Sequence, residues 1–396
     1  MKAYVSRSGR IVLTLLICTA TATAEFSENR KFSLKLTPRL ESAQQSGRRS
    51  SDAFTLGTNI GYTHAMSEEF KISIEVEDTR ALDEDSYNPA GLNPRSTNRA
   101  VIADPEGTEI NQAWVSYAVD GVNVKLGRQA IVLDNARFIG NVGWRQNMQT
   151  FDALQASVAN ETIKFTYAYL DQINRILGDD HPAGQWDSES HVANLNWKLT
   201  DQISLTGYSY LLSFKNAAAN STVTHGLFLS GSRSISDSEQ LTYRAEFALQ
   251  REHDNSPLNY EAPYSLLEFG LNNKIGAVTF GREILGSDNG TAFKTPLATG
   301  HAFNGWADLF LATPPTGLED RYIKVTAALP QALKGAVAFH HFSSDEGNQS
   351  WGTEWDFSLA RAFGPKLSVL AKAGNFTSSS SRPDVTKFWL QAVYSY

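Results

Sequence analysis

Hydrophobic and polar residues alternate along most of the chain. In "FSLKLTPRL", Phe32, Leu34, Leu36 and Leu40 fall on one face and Lys35, Thr37 and Arg39 on the other. "FTLGTNIGY" separates Phe54, Leu56, Ile60 and Tyr62 from Thr55, Gly57, Asn59 and Gly61, and "FKISIEVE" separates Phe70, Ile72, Ile74 and Val76 from Lys71, Ser73, Glu75 and Glu77. "IKFTYAY" and "LTYRAEFALQ" repeat the pattern, and so does the final "FWLQAVYSY", where Phe388, Leu390, Ala392, Tyr394 and Tyr396 oppose Lys387, Trp389, Gln391, Val393 and Ser395. A period of two marks strands that stand between two different environments. Pro38, inside the first strand, predicts an edge or a bulge there. An unpaired last strand would be an aggregation hazard, so the last strand is expected to pair with the first and close a ring.

The connections alternate between short and long. "VDGV", "ANET", "LTDQ" and "FGPK" are tight, whereas residues 81–108, 135–148, 174–187, 253–262 and 288–316 are long. Pairing strands across each long connection gives hairpins at 31–65, 69–120, 122–159, 162–199, 202–234, 239–273, 275–329, 333–362 and 366–396. Strands of roughly 10 to 13 residues can cross a bilayer when tilted. The predicted fold is an all-β, transmembrane, antiparallel up-and-down barrel of about 18 strands with long extracellular loops and short periplasmic turns. A ring of that size encloses an open lumen rather than a packed core, and the terminal aromatic belongs in an interfacial girdle.

The two faces differ as this reading requires. Trp197, Phe269, Phe280, Phe339, Trp355 and Phe357 lie on the apolar side. The polar side carries Lys35, Arg39, Lys71, Lys125, Lys164, Lys198, Arg244, Lys324, Lys372 and Lys387, against Glu41, Glu75, Glu77, Glu246, Glu268, Glu283, Asp320, Glu354 and Asp356. Arg or Lys on the lipid face at mid-bilayer would cost about 2–4 kcal/mol each, so these charges belong to a wet interior. Trp114, Arg128 and Phe342 break the alternation and predict bulges.

The first residues add a targeting signal. Lys2, Arg7 and Arg10 precede the apolar "IVLTLLICTA", and "ATA" at 22–24 offers a cleavage site, so residues 1–24 are expected to be a cleaved signal peptide and 25–396 the barrel. The apolar run falls short of the roughly 20 residues of a spanning helix. The one cysteine, Cys18, lies in that segment behind the bulky Ile17, which makes a poor lipoprotein site, and the remainder cannot use disulfides. Losing three basic residues and no acidic ones takes the formal charge from −7 to −10, which argues against a nucleic-acid partner.

Two blocks carry a resemblance. "KLGRQAIVLDNARFIGNVGWRQNMQTFDALQAS" (125–157) and "GREILGSDNGTAFKTPLATGHAFNGWADLFLATPPTGLEDRYIKV" (281–325) resemble the alginate export family of Gram-negative outer-membrane porins. The resemblance implies an eighteen-stranded barrel, consistent with the count above, and a pore with basic residues that selects an anionic saccharide such as alginate, for export or uptake. In the first block Arg137, Trp144 and Arg145 sit near Gly140 and Gly143, which could serve tight turns. In the second, His301, Asn304, Trp306 and Asp308 lie in a loop too long for a plain hairpin. Each block could fold into the lumen and constrict the pore, or form an extracellular lid that packs only on itself. The candidate pore-lining set is Lys35, Arg39, Lys125, Arg137, Arg145, Lys164, Arg244, Glu246, Lys324, His301, Trp306 and Asp308. The partners implied are the outer-membrane bilayer, the barrel assembly machinery through the C-terminal strand, and a hydrophilic solute.

Catalytic chemistry is poorly represented. Nucleophile-elbow, P-loop, Rossmann and zincin patterns are missing, and no cofactor is implied. His340 and His341 are adjacent and would point to opposite faces of a strand, so they cannot share a metal. A barrel hydrolase using Ser343 and a histidine is the alternative function. A gated transporter with a globular plug needs sequence before the first strand that the chain does not offer.

Overall fold

The computed structural model describes residues 29–396. The alternating segments all form strands: β1 (Arg30–Gln45), β2 (Ser51–Ala65), β3 (Phe70–Ala81), β4 (Gly107–Val119), β5 (Val122–Gln129), β6 (Thr150–Ala159), β7 (Ile163–Asn174), β8 (Gln185–Thr200), β9 (Ile203–Leu212) and β10 (Thr222–Ser234). They continue as β11 (Glu239–Glu252), β12 (Glu261–Asn273), β13 (Gly276–Leu285), β16 (Leu318–Leu329), β17 (Leu333–Ser343), β18 (Ser350–Phe363), β19 (Leu367–Ser378) and β20 (Val385–Ser395); β14 (Ser287–Asp288) and β15 (Thr291–Ala292) make a small hairpin in one loop. The eighteen long strands form one antiparallel sheet in which each pairs with its sequence neighbours and β1 pairs with β20. The ring is closed, as the alternation required. The signal-peptide expectation for residues 1–24 lies outside the described residues.

The closing seam runs from Lys35 opposite Ser395 to Gln45 opposite Val385. Tyr396 continues it, exchanging backbone hydrogen bonds of 2.8 and 3.1 Å with Leu34. Pro38 sits in this closed wall, at neither an edge nor a bulge. Its missing N–H shows as a gap toward β20 between Leu36–Tyr394 and Arg39–Gln391, with the register unchanged across it.

Each flagged irregularity has a cause. Asn111 is the extra residue of a bulge opposite Glu75 and Val76, and both Asn111 and Gln112 reach Glu75; this resets the alternation and turns Trp114 inward, under Lys125. Arg128 points outward and is held by Asp152 through bonds of 2.7 and 3.0 Å. Phe342 faces inward because a loop aromatic, Phe310, packs on it at 4.6 Å, and the bulge lies beside it at Trp351.

The lumen is not open throughout. Residues 130–149 and 286–317, between β5 and β6 and between β13 and β16, turn into it and bury an apolar core of their own against the wall. Phe138 lies 5.1 Å from wall Tyr264 and 5.7 Å from Phe293, while Phe310 stacks on Trp351 at 5.6 Å. Strand-level alternation cannot reveal this, because the inward aromatics that receive the loops look like pattern errors.

Candidate functional site

The two inserted segments meet inside the barrel. Gly140 donates its N–H to the Leu297 carbonyl at 2.9 Å, and a Cβ at Gly140 would fall 2.3 Å from the Thr299 hydroxyl, so glycine is required there by close approach. The tight turns expected of Gly140 and Gly143 are carried elsewhere: Asp134, Ala136 and Val142 hold the positive φ angles.

Residues 130–149 bring two arginines to carboxylates. Arg137 forks onto Glu283 of β13 at 2.7 and 3.1 Å and donates to Asn304 Oδ1 at 2.9 Å. Arg145 lies among Glu41 of β1 at 3.1 Å, Asp308 at 2.9 Å and Asp104, from residues 82–106, at 3.6 Å. Both guanidiniums are buried, and although burial opposes their charge, the surrounding carboxylates raise both pKa values above the ordinary arginine value. The structure therefore places Arg137 and Arg145 as counter-charges to wall and loop acids rather than as bare cations.

Residues 286–317 dock in the complementary sense. Asp308 takes Arg145, Lys387 of β20 at 2.8 Å and His301 at 2.7 Å. Burial resists its ionisation, but His301, Lys387 and Arg145 hold its carboxyl well below the usual range. Burial pushes the His301 imidazole down to about 3, against the pull of Asp308. It is therefore neutral at pH 7, with Nδ1–H donating to Asp308 and Nε2 accepting from Lys372 Nζ at 2.7 Å. Its ring stacks on Trp144 at 4.6 Å. The backbone is clamped too: Trp306 and Ala307 N–H groups donate to Asp356 and Glu354 of β18 at 3.2 and 2.7 Å, and the Trp306 ring lies 3.7 Å from Lys372 Nζ.

The remaining expected residues divide into two groups. Arg39 is buried against Asp104 at 3.2 Å and lies over Trp144. Arg244 pairs with Glu246 at 2.7 Å over the Phe228 ring, and Tyr208 donates to Glu246 at 2.8 Å. Lys35, Lys164 and Lys324 are exposed to the lumen, and Lys125 is half-buried over Trp114; none has a carboxylate partner within bonding distance among the described residues. The buried acids are met by inserted arginines, by a same-strand neighbour at Glu246, and by the wall cations Arg39 and Lys387 at Asp104 and Asp308.

The inserted segments divide the lumen. On the loop side lies a cavity of about 710 Å³ lined by Arg145, Arg175, Trp186, Lys294, His301 and Asp308 among others. Toward the turns lie one of about 320 Å³, with Lys35, Glu77, Arg145 and Tyr396, and one of about 340 Å³, with Trp306, Tyr322, Lys324 and His340. Arg145 lines both the first and the second, so it stands in the partition. Arg175 and Lys294 were not singled out from the sequence, although both fall in long connections. Arg175 lies over the Trp186 ring at 4.1 Å and donates to the Ala183 carbonyl at 3.0 Å; Lys294 donates to the Ala219 carbonyl. Neither has a carboxylate partner among the described residues, and burial alone pushes both pKa values down.

A closed eighteen-stranded barrel with an apolar outer belt, a charged lumen and inserted loops defines a porin-type channel integral to the bacterial outer membrane. The family model described as alginate export matches residues 18–257, more than half of the chain, and the chain belongs to that family. No curated protein matches it. Among solved structures it is similar to OccAB4 of Acinetobacter baumannii, with TM-score 0.74, 11% identity and coverage of 93% of this chain and 98% of that one. It is also similar to OpdQ of Pseudomonas aeruginosa, with TM-score 0.70, 14% identity and coverage of 93% and 99%. A third is OpdK of Pseudomonas aeruginosa with vanillate, at TM-score 0.70, 15% identity and coverage of 92% and 98%. At these identities the likeness concerns the fold.

Proposed function

We propose that the lumen passes small anionic solutes, carboxylates up to short acidic saccharides, by diffusion down their gradient. The observation that carries this reading is the loop-side cavity: its one acidic group, Asp308, is paired with the two cations Arg145 and Lys387, while Arg175 and Lys294 have no counter-ion among the described residues. Field lines focus in such a low-dielectric cleft, which raises the local concentration of anions. A cavity of about 710 Å³ is of small-molecule size. A polymer chain such as alginate would require the inserted segments to leave. Vanillate, named with the OpdK structure, is an aromatic carboxylate, and the Arg175–Trp186 corner offers a cation and a ring to a solute of that kind. The Lys35, Lys125, Lys164 and Lys324 ammoniums would continue the field toward the turns.

The channel reading stands against a hydrolase. His340 is inward and bonded to Asp320 at 2.9 Å, while Ser343 is outward and donates to Glu319 at 3.4 Å, so the two face opposite sides of β17. No hydrogen bond joins His341 to Ser343 among the described residues. The C-terminal strand, with its closing pairing to β1, is the segment we assign to recognition by the assembly machinery. Liposome swelling tests the solute claim. Glucuronate should enter faster than uncharged glucose, and polymeric alginate should not enter. Equal rates for glucuronate and glucose would contradict it.

A further inference from the structure

The outer wall also carries charge. Strand register places Leu267, Arg282, Arg321, His341 and Thr353 in one row across β12, β13, β16, β17 and β18. The next row toward the turns is Phe269, Phe280, Ile323, Phe339 and Trp355, all apolar. Two residues along a strand span about 7 Å. The arginines thus stand just above an aromatic row on the loop side, at the depth of the outer leaflet's headgroups.

Arg282 and Arg321 are direct cross-strand partners, an arrangement of like charges that is unfavourable by itself. One carboxylate serves both: Glu319 accepts from Arg282 Nε at 2.5 Å and from Arg321 Nε and Nη2 at 2.8 and 3.1 Å. Both Nη groups of Arg282 and Nη1 of Arg321 have no protein partner among the described residues, and the side chains are 51% and 58% exposed. Other outward cations near the rim are paired one to one: Arg80 with Asp78 at 2.7 Å, Arg128 with Asp152 at 2.7 Å, and Lys215 with Glu189 at 2.7 Å. Asp345 also lies within electrostatic reach of Arg282, so the patch is set apart by its unpartnered guanidinium donors rather than by net charge, and forked guanidinium donors fit phosphate oxygens.

We propose that Arg282 and Arg321, with His341 beside them, bind the phosphate of a phosphorylated glycolipid of the outer leaflet, whose acyl chains lie over the aromatic row below. The test titrates purified full-length protein with bis-phosphorylated lipid A, with the same lipid dephosphorylated, and with inorganic phosphate, and repeats the series on an Arg282→Gln/Arg321→Gln variant. The wild type should prefer the phosphorylated lipid by ~10-fold over both the dephosphorylated lipid and the variant, with single-channel conductance unchanged. Equal affinity for the two lipids overturns the proposal from the wild type alone, even if the variant fails to assemble. Competition by inorganic phosphate at millimolar concentration would reassign the patch as a free-anion site and overturn the lipid assignment.

Discussion

Arginine serves two purposes inside this barrel. Arg137 and Arg145 come in on an inserted segment and are consumed by Glu283, Glu41, Asp104 and Asp308. Arg175, with Lys294, rests on an aromatic ring and backbone carbonyls and keeps its charge available to the loop-side cavity. The same residue type thus joins loop to wall in one place and, in the function proposed above, supplies a field in the other, and the difference lies in whether a carboxylate is within reach. Counting basic residues in a pore says little about selectivity until their partners are known.

The largest effect should come from removing a brace. Arg145→Ala leaves the buried Glu41 without its counter-charge and takes one of two cations from Asp104 and from Asp308, and losing one member of such a cluster costs about 3–5 kcal/mol. The partition should detach, seen as higher and noisier single-channel conductance together with increased protease cleavage within 130–149. Unchanged conductance would show that Arg145 does not hold the segments in place.

Acid should loosen the same partition. His301 is neutral when docked, with a pKa lowered to about 3, whereas a freed imidazole takes up a proton near 6.5. The docked state therefore loses stability progressively as pH falls from about 6.5 toward 3. Asp308, held well below its ordinary 3.8, adds loss in the same direction once a freed carboxyl would protonate. Conductance recorded in symmetric buffers at pH 7 and pH 4 should show more open-state fluctuation at pH 4, and His301→Gln should reduce that dependence. A smaller effect is expected of Gly305→Ala. Gly305 has a φ of +81° and a Cβ there would fall 2.4 Å from Glu354 Oε2, a strain of about 1–3 kcal/mol that should appear as a modest rise in protease sensitivity at 300–308.

The barrel was legible because its determinants are local. Period-two alternation, as in Phe70, Ile72, Ile74 and Val76 of β3, and the short–long rhythm of connections set strand number and direction without tertiary knowledge. The length and content of residues 130–149 and 286–317 marked them as unusual connections but left an inward fold and an extracellular lid both open. Their docking partners could not, because Arg145 and Glu41 are 104 residues apart and meet only through the closed ring. Phe342 looked like an error for the same reason: its apolar neighbour, Phe310, belongs to a loop. Arg175 and Lys294 escaped attention because a lone cation in a loop has no pattern; what distinguishes them is the lack of a carboxylate nearby, which only the assembled structure displays.

The central claim is that unpaired cations on the loop side set selectivity while the paired ones hold the partition. The most direct test is the reversal potential of single channels under a potassium chloride gradient, for the wild type and for Arg175→Gln/Lys294→Gln. The account predicts an anion preference in the wild type and a fall of roughly 2- to 5-fold in the anion-to-cation permeability ratio in the variant, with thermal stability unchanged. An unchanged reversal potential, or a cation-selective wild type, would contradict it.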